Sequence, residues 1–451
     1  MLLGQTRLAE ALRKAARASP ADETLLAAQR SAQTTLRFSG GRIHQNFHEE
    51  DLTVWIKVAC GGRVGVATTS SLRHEPLTAA IRAAIGIAQL SGKQSTPSFS
   101  TSDLKEAAPK VQTYYSTTVQ HPLTKTVETI RRLWSRFQKQ GMELAGSFVS
   151  GENELAVVGS HGLLRYQPFT VGALRLVATK SKASGFAAQA FRDIRELQPE
   201  VLAERAEKFC RMNRDTKSIA LGKYDVLLEP EAVAELVEWL GYIGFGAKQL
   251  HERTSFLTGR MGDLAMHPDL SIYDDGSDPR GLAMPFDFEG VPKKRIDLIR
   301  HGKAAGVVYD SAYARLYHTH STGHALAYDE YEGPLPVNLF VSPGEIPRED
   351  LLRKMGRGLW ISRFHYVNGL LNTQEALMTG LTRDGTFLVK NGKVAAAVKN
   401  LRFTQSILEA FSHILAVSKE QQRIADPAQG FSAVVAPALL IKDFNFTGQT
   451  A

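Results

Sequence analysis

Cysteine is scarce in this chain of 451 residues, which contains only Cys60 and Cys210. Two cysteines cannot build the disulfide framework of a small secreted protein, and they cannot supply a cysteine-rich zinc site. Such sparse usage is typical of proteins that fold in a reducing compartment. The composition therefore indicates an intracellular protein without structural disulfides.

Long hydrophobic runs are also missing from the sequence. No segment approaches the roughly 20 consecutive apolar residues that a membrane-spanning helix requires. Residues 1–24 contain no apolar core of signal-peptide length, and their Leu and Ala spacing is typical of an amphipathic helix. We therefore predict a soluble, cytoplasmic protein that does not interact with membranes.

Positive charge is present in excess but is not concentrated. The chain has 54 Lys and Arg against 46 Asp and Glu, which gives a formal net charge of +8. The basic residues occur in short groups such as Arg131-Arg132 and Lys293-Lys294-Arg295, and there is no dense basic tract or zinc-finger spacing. This distribution permits anionic partners but favours a generic surface over a nucleic-acid-binding one.

The N-terminal half mixes helical patterns with alternating apolar runs. Between residues 34 and 71, three such runs are separated by Gly40-Gly41, the acidic cluster 49–51 and Gly61-Gly62, which predicts a meander of strands of about five to seven residues. A helical pattern follows in 74–92, and a second block of helix, strands and helix comes after it. This order predicts an α+β domain with an antiparallel sheet over residues 1–217.

The second half begins with an apolar strand pattern at 226–228 and a helix whose first residue is Pro230. Apolar residues then recur at helical spacing and predict a stripe that faces the core; they are Val233, Leu236, Val237, Leu240 and Ile243. Beyond residue 262, short apolar runs alternate with glycine turns, and Asn391-Gly392 is a strong hairpin signal. We predict a larger β-rich domain with mixed and antiparallel sheets over residues 218–451.

The stretch "HTHSTGH" brings His318, His320 and His324 within seven residues. Neutral imidazole is a common zinc ligand, and an H-x-H pair can present two nitrogens from one face of a strand. However, no Asp, Glu or Cys that could complete a metal site follows before Asp329 and Glu330. A histidine-rich turn near the mouth of the active site is therefore favoured. A zinc ion held by the three histidines is the alternative interpretation.

Two carboxylate pairs also have the composition of acid–base sites, Asp274 with Asp275 and Asp287 with Glu289. They flank Gly276 and Gly290, respectively. Roles in forming turns are therefore favoured over roles in proton transfer.

Several segments occur in the order and spacing of a known family: "RIHQNFHEED", "GGRVGVATTSSL", "RTSFLTGRMGD", "DDGSDPRGLAMPFDFEGVPKKRIDLIRHGKAAGVVYDSAYAR", "STGHA", "NLFVSPGE", "GLW" and "GTFLVKNGKVAAAVKNLRF". Together they resemble the TldD/PmbA proteins, also called modulators of DNA gyrase, from about residue 35 to the C-terminus. The "STGHA" stretch is similar to one found in the metal-free branch of that family, which accounts for His324 without a metal.

In the TldD branch, the resemblance implies a metalloprotease with H-E-x-x-x-H on a helix that follows a strand and a P-E-A turn. Pro230-Glu231-Ala232 aligns with that turn, so the motif positions are Glu238, Trp239 and Ile243 in this chain. None of the three matches the motif, and the cysteine that the catalytic branch carries near its C-terminus has no counterpart after Cys210. The chain therefore resembles the TldE/PmbA branch, for which no catalytic or metal-binding residue is expected.

The resemblance implies a non-catalytic subunit of a two-component metalloprotease that processes extended or unfolded peptides. A TldD-like subunit would supply the zinc in a heterodimer, although a homodimer is also compatible. By family position, Arg363, His365 and Asp384 are candidates for lining the substrate channel, and structural roles are the equal alternative. The alternatives are a self-sufficient homodimeric metallopeptidase with zinc at His318, His320 and His324, or a protein that acts on gyrase or DNA.

Overall fold

The computed structural model of the protein describes residues 2–93, 102–427 and 432–450. Within these ranges the strands form one sheet of six strands and a second sheet of eleven strands. The six-stranded sheet is built from residues 23–191, and the larger sheet begins at residue 222. The α+β class predicted from the sequence is confirmed.

The first sheet is antiparallel throughout and has the strand order β3-β2-β1-β4-β5-β6. Its strands are β1 (Glu23–Ser39), β2 (Arg42–Cys60), β3 (Arg63–Thr69), β4 (Glu143–Gly159), β5 (Leu164–Lys180) and β6 (Ala183–Phe191). The helices of this half are α1 (Gln5–Arg17), α2 (His74–Leu90), α3 (Ser116–Val119), α4 (Leu123–Gln138) and α5 (Pro199–Met212). The predicted helices at the N-terminus and after residue 74 are thus present.

The two faces of this sheet have different neighbours. Along β1, Leu26 and Ala28 pack against the helices, whereas Leu25 and Ala27 point to the opposite face and pack in a cluster with Phe286 of the second half. Successive residues of a strand point to opposite faces, so one strand serves both contacts. The sheet therefore lies between its own helices and the C-terminal half of the chain.

The strands of the predicted meander are longer than expected. β1 has 17 residues and β2 has 19, and the acidic cluster Glu49–Asp51 lies inside β2, where it pairs with residues 31–33 of β1. The prediction of a turn at this cluster was wrong. Most of residues 42–51 are exposed, and Glu50 forms an ion pair with Arg30 across the strands, so the charges remain hydrated or paired without ending the strand.

The second sheet is mixed and has the order β10-β9-β8-β11-β17-β15-β13-β12-β7, with β14 paired to β13 and β16 paired to β17. Its strands are β7 (Gly222–Leu228), β8 (Ile272–Asp274), β9 (Ile296–Arg300), β10 (Lys303–Ala304), β11 (Asn338–Val341), β12 (Gly358–Asn372), β13 (Leu377–Lys390), β14 (Lys393–Ala397), β15 (Leu401–Ser406), β16 (Ile414–Ile424) and β17 (Ala433–Gln449). The pairs β11/β17 and β12/β7 are parallel. Because β7 also pairs with β17, the strands β17, β15, β13, β12 and β7 form a closed ring.

The helices of the second half are α6 (Pro230–Gly244), α7 (Ala247–His251), α8 (Ser311–Leu316), α9 (Arg348–Met355) and α10 (Ile407–Ser412). Helix α6 packs against β12 and β17, and all five residues of its predicted apolar stripe are at most 2% exposed. The predicted hairpin is also present, because Asn391 and Gly392 connect β13 to β14 with positive φ angles. In the described ranges, no helix combines the length and apolar character needed to cross a membrane.

A buried carboxylate joins the two halves at the start of α6. Glu229 accepts a hydrogen bond of 2.7 Å from Trp360 Nε1 and one of 3.2 Å from Arg205 Nη2 of α5, and it also forms an ion pair with Arg348. Glu229 is only 1% exposed. Because a buried ion that loses its partners is strongly unfavourable, this carboxylate fixes α5 against α6 and β12.

We predict that Glu229→Gln destabilises the folded protein by about 1–3 kcal/mol, because Arg348 and Trp360 lose a charged acceptor. Arg205 keeps its ion pair with Glu231. Urea denaturation followed by tryptophan fluorescence measures the change. Glu345→Gln is the matched control, since Glu345 is exposed and should have little effect. Equal denaturation midpoints for the two variants would contradict this role for Glu229.

Candidate functional site

A cleft of about 550 Å³ lies between the two sheets. One wall comes from the first sheet and includes Trp55 of β2 and Phe169 of β5, and the other comes from residues 284–288, 324–327 and 335–337 of the second half. Most of the lining is apolar or aromatic, with a few charged groups. Both the volume and this composition are typical of ligand-binding pockets.

Helix α6 carries the three family motif positions and contributes Tyr242 to the lining of this cleft. Ile243 is 2% exposed and belongs to the main hydrophobic core, while Trp239 packs edge-to-face on Tyr242 with ring centroids 5.8 Å apart. Glu238 accepts a hydrogen bond of 3.1 Å from the Ser432 hydroxyl, and Ser432 lines the cleft. Neither an isoleucine side chain nor an indole N–H can donate a lone pair to a metal. These three residues therefore do not fit the zinc site of the catalytic branch.

Two carboxylates lie one helical turn apart on α6, Glu235 and Glu238. Burial raises the pKa of Glu235 to about 7, the negative charge of Glu238 adds to this increase, and Arg363 opposes it. Burial also raises the pKa of Glu238. The Glu238 side chain is nevertheless exposed to solvent along part of its surface. Glu235 was missed at the sequence level, although a carboxylate pair at i and i+3 on an otherwise apolar helix was a usable signal.

The predicted channel residues lie on β12 and β13, and the structure brings two of them together. Arg363 Nε donates a hydrogen bond of 2.8 Å to Asp384 Oδ2, and Ser184 of β6 donates one of 2.6 Å to Asp384 Oδ1. The Arg363 guanidinium also lies 4.3 Å from the centre of the Phe186 ring. This group joins β6 of the first sheet to the second sheet and holds Arg363 within electrostatic range of Glu235.

His365, the third channel candidate, lies two residues further along β12 and contacts the ring of Tyr366. It is not part of the ion pair between Arg363 and Asp384. Burial, Arg363 and Arg383 lower the pKa of His365, so its ring is neutral at pH 7. A role of these residues in a substrate channel stays a prediction.

The structure separates the three histidines of residues 318–324. His324 is buried, and its Nε2 lies 2.8 Å from Asp274 Oδ1. His318 and His320 are exposed, and His318 follows α8 with a φ of +53°. Over the described ranges 2–93, 102–427 and 432–450, no group of three His, Cys, Asp or Glu side chains has an arrangement that could hold a metal ion.

Asp274 has a different role from the turn-forming one favoured by the sequence. Its Oδ2 accepts hydrogen bonds of 2.8 and 2.7 Å from the N–H groups of Val337 and Asn338. Burial opposes the ionisation of Asp274, but His324 and these donors outweigh it and lower its pKa. Burial also lowers the pKa of His324, so the neutral ring acts as a hydrogen-bond donor to an ionised Asp274. The 50 residues between them hid this pair from sequence reasoning.

Asp287 does form a turn, as predicted, and it helps to shape the cleft wall. It accepts hydrogen bonds of 2.9 Å each from the N–H groups of Glu289, Val291 and Ala325. Glu289 forms a buried ion pair of 2.9 Å with Lys57 of β2. Burial and the negative charge of Glu289 raise the pKa of Asp287. Burial also disfavours the ionised form of Glu289, but the positive charge of Lys57 outweighs this effect and lowers the pKa of Glu289.

Comparison with protein families yields two matches along the chain. Residues 221–448 match the model described as the PmbA/TldA metallopeptidase C-terminal domain, and residues 26–88 match PmbA/TldA metallopeptidase domain 1. The first match covers about half of the chain.

Individual proteins give a consistent picture. The metalloprotease TldD homolog of Haemophilus influenzae is 25% identical over 174 residues, which are 38% of this chain and 36% of that protein. Metalloprotease PmbA of Escherichia coli O157:H7 is 22% identical over 398 residues, 84% of each chain. The crystal structure of TldE from Thermococcus kodakarensis superposes with a TM-score of 0.83 at 20% identity, covering 97% of this chain and 100% of that one. Since the chain spans only about a third of the length of the Haemophilus relative, that match concerns a part of the fold.

We predict that Glu235→Gln makes the protein less sensitive to rising pH. Between pH 5 and pH 8, the free energy of unfolding of the variant should increase by about 1–3 kcal/mol relative to that of the unchanged chain. The folded state raises the pKa of this carboxyl from 4.5 to about 7, so the folded chain binds more protons than the unfolded chain between these values. Its stability therefore falls as pH rises through this window, and an uncharged glutamine removes the loss.

Urea denaturation of both proteins at pH 5 and pH 8 measures the difference. Glu345→Gln at an exposed position serves as the control for a general charge effect. A pH-independent difference between Glu235→Gln and the unchanged chain would show that Glu235 is fully hydrated.

Proposed function

The chain belongs to the PmbA/TldD metallopeptidase family, and from that membership we propose that it is the metal-free subunit of a two-component peptidase. In this proposal a TldD-like subunit supplies the zinc ion and the water-activating residues. This chain binds extended or unfolded peptide segments and completes the chamber in which they are cleaved.

The observation that carries the proposal is the chemistry of α6. Strand β7 and the Pro230 that begins α6 agree with the arrangement that the sequence resemblance implies, and the matching motif positions carry Glu238, Trp239 and Ile243. Ile243 lies in the core and Trp239 packs over Gly369, where a Cβ would be 2.6 Å from the indole. A substitution at one of these positions could not restore a ligand set, because two of the three sites are shaped for apolar packing.

Peptide binding is supported by the cleft between the sheets. Its apolar walls, which include Trp55, Phe169 and Phe286, can bury the side chains of an extended segment. Lys293, Glu330 and Glu332 are charged groups of the lining, and Glu238 adjoins it through Ser432. These features suit a peptide better than nucleic acid, whose binding requires a concentrated basic surface.

We predict that the purified chain alone contains far less than one zinc ion per molecule and cleaves no peptide. When mixed with a TldD-like metallopeptidase of the same genome, it should form a one-to-one complex that cleaves unfolded peptides and loses activity with a chelator. Size-exclusion chromatography with light scattering, elemental analysis and a quenched fluorogenic peptide provide the three measurements.

The His320→Ala variant separates this proposal from a self-sufficient homodimeric peptidase. About one zinc per chain, lost in His320→Ala together with peptide cleavage by the chain alone, would establish the histidine site instead. Absence of both a complex and cleavage in the mixture would overturn the two-component proposal.

A further inference from the structure

Lys293 is a charged side chain of the cleft that makes no hydrogen bond or close ion pair with another described residue. The residue is only 8% exposed, and its methylene stem lies over Gly276, where an added Cβ would come within 2.2 Å of Lys293 Cδ. Gly276 thus leaves the space through which the side chain reaches the cleft. The residue forms part of the cleft lining together with Phe286, Phe288 and His324.

The ammonium group of Lys293 has unused hydrogen-bonding capacity. Among the described residues, it donates no side-chain hydrogen bond, and no carboxylate approaches within the 4.0 Å of an ion pair. The nitrogen is not one of the fully enclosed unpartnered atoms of the same residues, and the residue lines the cleft. The N–H donors of Lys293 are therefore available to a ligand in the cleft.

The nearest carboxylates are already saturated by other groups. Asp274 accepts bonds from His324 and from the backbone at 337 and 338, and Asp287 accepts three backbone N–H groups. Both attract Lys293 only at longer range, while burial lowers its pKa. Since Lys57 is neutralised by Glu289, Lys293 is the cation in this wall of the cleft that still lacks a close anion.

We propose that Lys293 binds the terminal carboxylate of a peptide whose last residue is apolar. A buried ammonium is unfavourable unless an anion pairs with it, and a carboxylate supplies that pairing through charge-assisted hydrogen bonds. The apolar side chain next to the carboxylate then lies against Phe169, Phe286 and Leu335, which line the same cleft. This inference rests on the proposed function, and it specifies which part of a peptide the cleft holds.

The test measures binding of a fluorescein-labelled apolar pentapeptide to the full chain by fluorescence anisotropy. The peptide with a free C-terminal carboxylate should bind about tenfold or more tightly than the same peptide with a C-terminal amide. Lys293→Met keeps the length and apolar stem of the side chain and should remove this preference. Lys294→Met is the matched control, because the neighbouring Lys294 pairs with Glu106 outside the cleft lining, and it should retain the preference.

Each other outcome has a defined meaning. Equal binding of the acid and the amide by the unchanged chain, or retention of the preference in Lys293→Met, would overturn the carboxylate site. The first comparison needs no variant, so the inference can fail even if Lys293→Met does not fold. Decanoate is the competitor that tests the other source of an apolar carboxylate: strong decanoate binding without binding of the acid peptide would overturn the assignment to peptides.

Formation of an active complex with the TldD-like subunit tests the proposed function independently of the Lys293 site. Peptide binding that ignores the terminal carboxylate, together with formation of an active complex, would leave the two-component proposal intact and reject only the role of Lys293. Failure to form the complex, with a Lys293-dependent preference for the acid peptide, would reject the two-component assembly and retain the binding site.

Discussion

The rest of the site depends on one constraint: charged groups that lose water between the two sheets must be paired with each other. Lys57 projects from β2 of the first sheet and meets Glu289 of the second half in a buried ion pair. A buried charge without its partner would cost several kcal/mol, so the two halves can approach only in the arrangement that keeps the pair. That arrangement places Trp55, which lies two residues before Lys57, against Phe288 and so forms one end of the cleft wall.

The same constraint acts at the start of α6. There Glu229 forms ion pairs with Arg205 and Arg348 and accepts a hydrogen bond from Trp360. Because Arg205 belongs to the helix that closes the N-terminal half, the ion cluster fixes the position of α6 relative to the first sheet. The face of α6 that carries Glu235 and Glu238 is consequently held beside the cleft. Family membership explains why a helix stands at this place, and the buried charges explain how it is kept there.

Local signals in the sequence predicted the elements that depend on local physics. The helix at the N-terminus, α6 with its apolar stripe and the turn at Asn391-Gly392 all follow from residue spacing or backbone preference, and they were found. The turn assigned to Glu49–Asp51 failed because strand length depends on cross-strand partners and solvent exposure, which a single run of residues does not reveal. The class of the fold was still predictable, because a wrong strand boundary does not change the order of helices and strands along the chain.

The candidate site was less predictable, because its groups come from distant parts of the chain. Asp274 and His324 are 50 residues apart, and Lys57 and Glu289 are 232 residues apart. The histidine cluster looked compact along the sequence, yet the fold buries His324 and leaves His318 and His320 exposed.

Charge around the cleft is unequally distributed, and this has a consequence for peptide orientation. Ser432 lines the cleft and bonds Glu238, so the α6 carboxylates border the space that the Lys293 ammonium enters. An extended peptide has a negative carboxylate at one end and N–H donors or a positive amine towards the other. With its carboxylate on Lys293, a peptide of the proposed kind can direct those donors towards the carboxylates that line or adjoin the cleft, which are Glu330, Glu332 and the Ser432-bonded Glu238. Within the proposed function, Glu238 and Lys293 therefore favour one direction of a bound peptide over the other.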